Sequence, residues 1–343
     1  MKRTTVVTFI AGLAVITILV VSRGAGAIWN ALASIGWGGF AAVCVTQLAL
    51  IGLMGLSWRI IVAAPKRLPL GTFFWARLIR DSGAEILPLS QLGGFVMGAR
   101  AATLAGLTST LSAASTVVDV TLELFAQLIF TAIGLGLLLL VHPESALAWP
   151  VAGGLAVMSL AAAAFVMAQR RGLSIVDRIA GHILGDWART GLKIADIQAA
   201  ISAIYERPGR LWLSTGSHLA SWIGSGLQAW FALRLMGVSI DVADVLAIES
   251  LLYAIRSVAF AVPNAVGVQE GAYLVLGGLF GLGPDTVLAL SLLKRARDLT
   301  LGLPALLVWQ GIEARRALLV PVEDDTPETV EPALGGGPLT GTR

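Results

Sequence analysis

Residues 40–62, FAAVCVTQLALIGLMGLSWRIIV, decide the fold class of this chain. The run is apolar almost throughout and carries one charged side chain, Arg59, near its end. About 20 consecutive apolar residues form a helix long enough to cross the hydrocarbon core of a bilayer. Because lipid offers no hydrogen-bond partners, the backbone of such a segment must satisfy itself, as a helix does. The sequence therefore predicts a transmembrane helix here.

The composition of the whole chain agrees with a membrane protein. It is 56% hydrophobic and only 13% charged, whereas a soluble domain carries about 25% charged residues. Three His and one Cys, Cys44, leave nothing for a disulfide framework or a Cys/His zinc site. We therefore expect no metal, no cofactor and no nucleic-acid partner.

Five other stretches along the chain resemble residues 40–62, and two more are interrupted. We predict an all-α polytopic membrane protein with about six full spans and two broken or re-entrant helical segments. The full spans are predicted at residues 5–21, 40–62, 112–141, 147–167, 211–235 and 284–312. The two broken segments are residues 71–102 and 242–283, where Pro, Gly and charged residues interrupt the apolar run.

The first predicted span has two interpretations. It follows Lys2 and Arg3, and Ala25-Gly26-Ala27 resembles a signal-peptidase site, so a cleaved signal peptide is one alternative. A retained signal anchor is favoured, because the apolar run is long for a signal peptide and the rest of the chain is also membranous.

Basic residues concentrate on one side of the predicted layout. The loops 142–146 and 236–241 on the other side contain no Lys or Arg. Cytoplasmic loops carry the excess of positive charge, so we predict a bacterial inner-membrane protein with both termini in the cytoplasm. The basic side comprises Lys2, Arg3, Lys66, Arg67, the cluster within 170–210, Arg315 and Arg316.

Two segments lie outside the predicted spans. We assign residues 1–316 to one transmembrane domain and residues 317–343 to a disordered cytoplasmic tail, because the tail is polar and lacks apolar periodicity. Within the domain, residues 169–210 form a basic amphipathic segment. It either lies on anionic headgroups or packs as a connector on the cytoplasmic ends of the spans.

Charged side chains inside the apolar segments indicate a polar interior. Each costs on the order of 3 kcal/mol at the bilayer centre, so a retained one usually faces a cavity or a partner. Asp119 and Glu123 lie one helical turn apart, and two carboxylates that close need protonation or an Arg partner. Simpler alternatives are snorkelling of Arg77 and Arg80, a headgroup position for Asp119, and a surface loop at residues 294–298.

The two broken segments resemble each other. Leu78-Ile79-Arg80 precedes Pro88 in the first, and Ala254-Ile255-Arg256 precedes Pro263 in the second, and each Pro is followed by a glycine. Under the predicted orientation the two segments enter the membrane from opposite sides, which makes an inverted repeat possible. In that architecture, discontinuous helices form a substrate site near the midplane and can direct their N-termini at an anionic headgroup.

These motifs resemble the transmembrane domain of lysylphosphatidylglycerol synthases and their flippase-like relatives, over roughly residues 5–316. The pattern is Arg80-x4-Glu85-x2-Pro88, Gly93-Gly94, Arg100 and Asp119, then Pro263-x3-Gly267-x2-Glu270-Gly271 and Arg297. Residues 80–91, RDSGAEILPLSQ, are most similar to the hopanoid-associated branch, which is implicated in moving hopanoids toward the outer membrane. Leu89-Ser90-Gln91 stands where many relatives have a basic residue, and this departure favours a special branch.

The resemblance implies a lipid transporter or flippase-like protein whose partners are a hopanoid or phospholipid and lipid-synthesis or export proteins. The synthases carry a soluble catalytic domain beyond the membrane part, whereas this chain ends about thirty residues after its last predicted span, so we expect no enzyme. The cavity is predicted to be lined by Arg80, Glu85, Pro88, Arg100, Asp119, Glu123, Arg256, Pro263, Gly267, Glu270 and Arg297.

Two other functions stay open at this stage. An intramembrane lipid-modifying enzyme could use Asp119 and Glu123 as acid and base. A scaffold subunit of a lipid-synthesis complex could use the Gly94–Gly98 GxxxG step for contact with a partner.

Overall fold

The computed structural model of the protein describes residues 33–62, 68–86, 90–171, 194–259 and 265–319, and they are helical with short connections. The predicted all-α fold of a polytopic membrane protein is confirmed. The predicted span 5–21 and residues 320–343 lie outside the described residues. The described helices are α1 (Gly36–Ile61), α2 (Leu70–Ile86), α3 (Ser90–Leu104), α4 (Ser109–Val141), α5 (Ala148–Arg171), α6 (Ile194–Tyr205), α7 (Pro208–Leu235), α8 (Val242–Val258), α9 (Val268–Leu279) and α10 (Pro284–Leu319).

Five of the predicted full spans appear as single helices, namely α1, α4, α5, α7 and α10. Three of these, α1, α4 and α5, are long and apolar enough in the described part of the chain to cross a membrane. Helix α5 presents mostly apolar, exposed side chains, such as Val157 and Leu160. In a membrane this surface is the one that lipid chains cover.

Both segments predicted to be broken are broken. Residues 71–102 form α2 and α3, and residues 242–283 form α8 and α9. The predicted helix breakers, Pro88 and Pro263, lie in the gaps at 87–89 and 260–264, outside the described residues. Gly267 caps the start of α9 with a φ of 82°, a left-handed conformation that a side chain disfavours.

The described part of the 169–210 segment behaves as a connector. Helix α6 packs on α4 and α5, and it buries Ile201 and Ile204. The Tyr205 hydroxyl donates a hydrogen bond of 2.7 Å to Gln169 Oε1 at the end of α5. Residues 172–193 lie outside the described residues.

The GxxxG step holds the first broken segment together. A Cβ on Gly94 would press on the backbone oxygen of Arg80 and lie 2.9 Å from the backbone nitrogen of Ala84. A Cβ on Gly98 would lie 3.2 Å from the carbonyl oxygen of Ala76. The two glycines therefore let α3 pack directly against α2, which is an internal contact of this chain.

The helices enclose two apolar cores with a polar layer between them. One core gathers residues of α2 and α3 and the other gathers residues of α8 and α9; we call them the α2–α3 core and the α8–α9 core. Helix α1 contributes Val43 to the α8–α9 core and Ile51 to the α2–α3 core, with Gln47 between them. Helices α4 and α10 also pass from one core to the other, and Glu123 and Arg297 lie between.

Replacement of Gly94 by Ala should destabilise the protein, because the new methyl group meets backbone atoms that cannot move independently. Overpacking of this kind costs about 1–3 kcal/mol. The change in unfolding free energy is measured by reversible denaturation in detergent micelles. Gly153→Ala on α5 is the matched control, because a Cβ there meets nothing within 4 Å. Equal stability of the two variants would contradict the close packing of α2 and α3.

Candidate lipid-binding cavity

A polar cavity of about 170 Å³ lies between the two apolar cores. Its lining comes from α1, α2, α3, α4, α7, α8 and α10, so both broken segments and their neighbours contribute. Within the described part of the chain, four Arg and four acidic side chains line it, together with Gln47, Gln127 and the aromatic residues Phe95, Trp222 and Tyr253. Eight of the charged side chains within the apolar runs are thus gathered at one place.

The two broken segments present equivalent positions to this cavity. Aligning Leu78-Ile79-Arg80 with Ala254-Ile255-Arg256 places three lining residues of α2 in register with three of α8. The pairs are Arg77 with Tyr253, Arg80 with Arg256, and Asp81 with Ser257. In a helix, positions i, i+3 and i+4 share one face. The internal resemblance found in the sequence therefore corresponds to a shared site, while the inverted orientation of the segments stays a prediction.

An ion-pair network joins α2 to α4 at one wall of the cavity. Arg77 donates hydrogen bonds of 2.9 Å and 2.6 Å to the two carboxylate oxygens of Glu123, and its Nε lies 2.8 Å from Asp81 Oδ1. Arg80 donates a 2.8 Å hydrogen bond to Asp119 and another to Glu123. Of the two predicted alternatives, protonation or an Arg partner, the structure shows an Arg partner for both Asp119 and Glu123.

Asp119 lies behind this wall and also contacts α7. Its Oδ1 is 3.0 Å from His218 Nε2, and both side chains are fully buried. Arg77 and Arg80 are 3% and 4% exposed. Snorkelling of the arginines is therefore wrong, because these charges are neutralised inside the helix bundle. The depth of Asp119 relative to the lipid headgroups stays a prediction.

One ion pair connects the two broken segments directly. Arg256 Nη2 lies 2.9 Å and 3.0 Å from the two carboxylate oxygens of Glu85. Glu85 stands at the end of α2 and Arg256 near the end of α8, so each residue lies just before the interruption in its segment. This pair closes the cavity wall between the two units.

The charges of the last predicted span lie on a continuous helix. Residues 294–298 are within α10, so the alternative of a surface loop is wrong. Arg297 lines the cavity, lies 2.8 Å from Asp298 and donates a hydrogen bond to Gln228. Gln228 in turn donates 3.0 Å and 2.8 Å hydrogen bonds to the Val43 carbonyl and the Thr46 hydroxyl. The chain of contacts connects α10 to α7 and α1.

Gly267 and Glu270 belong to a separate polar cluster. Glu270 accepts hydrogen bonds from the Gly267 N–H at 2.8 Å, from Ser291 at 2.8 Å and from Arg295 at 2.8 Å. Nearby, Lys294 lies 2.6 Å from Glu249. These contacts fix the start of α9 on α10, and neither Gly267 nor Glu270 is among the residues that line the cavity.

Arg100 also lies away from the cavity. It is 44% exposed at its side chain and pairs with Glu313 of α10 at 2.8 Å. Of the predicted residues, the cavity brings together Arg80, Glu85, Glu123, Arg256 and Arg297, with Asp119 directly behind them. Pro88 and Pro263 lie outside the described residues, and a lipid-binding role for any of these residues stays a prediction.

Several lining residues were missing from the predicted set. Arg77 and Asp81 share a helix face with Arg80, and Tyr253 and Ser257 share one with Arg256, so helical spacing could have found them. His218 contacts Asp119 behind the cavity wall, and its position as an ionisable residue within an apolar span was a signal for it. Trp222 and Gln127 gave no sequence signal that separates them from ordinary packing residues.

The chemistry open to this arrangement is polar recognition. Among the described residues, no group of three or more His, Cys, Asp or Glu side chains could hold a metal ion. The carboxylates of Asp119 and Glu123 are both held by guanidinium groups. Stacking adds to this neutralisation, because the Arg80 guanidinium carbon lies 4.7 Å from the Phe95 ring centroid.

Replacement of Asp119 by Asn should strongly destabilise the protein. The change leaves Arg80 without its 2.8 Å carboxylate contact inside the bundle, and breaking a buried ion pair costs about 3–5 kcal/mol. Equilibrium unfolding in detergent measures the loss. Glu313→Gln removes the carboxylate of an exposed pair and should cost less than about 1 kcal/mol. Similar losses in both variants would contradict the burial of the network.

Comparison with known proteins supports the family resemblance seen in the sequence. Residues 8–305 match the family described as the lysylphosphatidylglycerol synthase TM region. No curated protein and no solved structure matches the chain. Because the matched region includes nearly all of the described helices and the entire cavity, the chain belongs to the lysylphosphatidylglycerol synthase transmembrane-region family of membrane proteins.

Proposed function

We propose that this protein moves a membrane lipid between the leaflets of a bacterial inner membrane, and that it does so without chemical change to the lipid. The observation that carries the proposal is the cavity to which α2 and α8 contribute equivalent faces. Discontinuous helices from repeated units that meet at one polar site are typical of transporters.

The position of the cavity supports this function. A lipid crosses the bilayer only if its polar headgroup passes the hydrocarbon core, and an unsatisfied polar group there costs several kcal/mol. We expect the layer between the two apolar cores to lie at that depth, where its hydrogen-bond donors and acceptors would satisfy the headgroup. The acyl chains could remain in the surrounding lipid while the headgroup occupies the cavity.

The two competing functions have less support. An enzyme that uses Asp119 and Glu123 as acid and base needs at least one carboxylate free to exchange a proton, and both are engaged by Arg77 or Arg80. A scaffold that uses the Gly94–Gly98 step would need these glycines on its surface, and they pack against α2. Both observations favour transport over catalysis or passive assembly.

We propose a hopanoid as the cargo and a cytoplasmic location for both termini. The cargo follows from the similarity of residues 80–91 to the hopanoid-associated branch of the family. Within this stretch, Arg80 and Glu85 line the cavity, so the residues that carry the similarity coincide with the candidate site. The orientation follows from the distribution of basic residues.

Purified protein in liposomes should accelerate the transbilayer exchange of lipid, measured by reduction of a fluorescent lipid in the outer leaflet. Arg256→Gln removes a charged contact between the broken segments and should slow exchange by about tenfold, which corresponds to about 1.4 kcal/mol. Glu313→Gln, outside the cavity, should exchange lipid at the original rate. Exchange no faster than in protein-free liposomes would contradict the proposed transport.

The cargo is tested in cells. Deletion of the gene should shift hopanoid from the outer to the inner membrane fraction, as measured by lipid mass spectrometry of separated membranes. An unchanged hopanoid distribution would exclude hopanoid as the cargo and leave the transport of another lipid to the liposome assay.

A further inference from the structure

The charges that line the cavity neutralise one another. Every lining guanidinium has a carboxylate oxygen within 3 Å. The contacts are Arg77–Asp81 at 2.8 Å, Arg80–Asp119 at 2.8 Å, Arg256–Glu85 at 2.9 Å and Arg297–Asp298 at 2.8 Å. The four lining guanidinium groups are matched by four lining carboxylates, and Asp119 adds another carboxylate behind them. Among the residues that the structure describes, the lining therefore offers no surplus positive charge.

This balance disfavours a charged headgroup of either sign. An anionic headgroup would have to displace a carboxylate from its guanidinium and would leave that carboxylate near another negative charge. A cationic headgroup would have to displace a guanidinium in the same way. In a medium of low dielectric constant both exchanges are unfavourable unless the ligand replaces every contact it breaks.

Uncharged hydrogen-bonding groups complete the lining. Gln127 donates hydrogen bonds to Ser257 and to the Tyr253 carbonyl, and Gln47 lies across the cavity on α1. The Trp222 indole N–H is buried and has no hydrogen-bond partner in the structure. A buried donor without an acceptor is costly.

The size of the cavity limits the ligand further. At about 170 Å³ it is smaller than the roughly 300–1,000 Å³ of a pocket for a drug-sized molecule. A whole lipid does not fit, whereas a compact headgroup does. The described lining is neutral as a whole and rich in hydrogen-bond donors and acceptors. A ligand that matches it therefore also carries hydrogen-bond donors and acceptors.

We propose that the cavity binds a compact lipid headgroup of zero net charge, either zwitterionic or hydroxylated, in preference to an anionic one. The inference rests on the proposed function, because it names the class of lipid that the same cavity carries. It departs from the expectation that the N-termini of the discontinuous helices are directed at an anionic headgroup. The guanidinium groups are instead structural partners of the carboxylates, and each pair offers a donor edge and an acceptor edge to the ligand.

The preference is measured in liposomes of one background composition. Phosphatidylethanolamine and phosphatidylglycerol, each labelled on an acyl chain, serve as the zwitterionic and the anionic probe. We expect the zwitterionic probe to exchange about tenfold faster, relative to protein-free liposomes. Equal rates, or faster exchange of the anionic probe, would overturn the charge preference while leaving transport itself intact.

A charge variant tests the cause of the preference. Glu85→Gln removes one carboxylate and makes the lining more positive by one charge, so the ratio of zwitterionic to anionic exchange should fall about tenfold. Glu313→Gln makes the same chemical change outside the cavity and should keep the original ratio. A ratio that is unchanged in Glu85→Gln would contradict the role of the cavity charges.

Binding separates this inference from the proposed function. If neither probe exchanges faster than in protein-free liposomes, transport fails, and the two lipids are then compared by native mass spectrometry of the detergent-solubilised protein. Preferential retention of phosphatidylethanolamine would support the charge preference without transport. Preferential retention of phosphatidylglycerol, or equal retention of both, would overturn it.

Discussion

Charge neutralisation inside an apolar medium is the constraint on which this structure depends. A guanidinium or carboxylate buried among membrane helices cannot be solvated, so a partner within the protein has to compensate it. The network of Arg77, Arg80, Asp119 and Glu123 meets this requirement and thereby fixes α2 on α4. The Glu85–Arg256 pair does the same between α2 and α8. The positions of the helices and the polar site are consequences of the same contacts.

The two broken segments both contribute charged residues to this arrangement. Each is interrupted just after a charged residue that faces the cavity, Glu85 in the first and Arg256 in the second. The α2–α3 core holds both halves of the first segment, and the α8–α9 core holds both halves of the second. The polar layer between the two cores accommodates the charged side chains. A headgroup could occupy that layer without disturbing the packing on either side.

The sequence predicted the helices and the interruptions, because apolar length, Pro and Gly are local signals. It also predicted that Asp119 and Glu123 need a cation, since they lie one turn apart. It could not predict which cation, because pairing depends on contacts between distant helices. Arg100 is the clearest example: its partner, Glu313, lies on the last described helix, so Arg100 belongs to an exposed pair and not to the cavity. The internal neutrality of the cavity likewise became visible only when the partners were known.

The most direct test is whether water reaches cavity-lining residues on both broken segments. In a Cys44→Ser background, Ser82→Cys and Ser257→Cys each place a thiol in the cavity lining with little change in volume. Val157→Cys places one on the exposed apolar face of α5. A charged, water-soluble thiol reagent is expected to label both cavity positions much faster than position 157. Labelling of either cavity position no faster than that of position 157 would contradict a shared polar cavity.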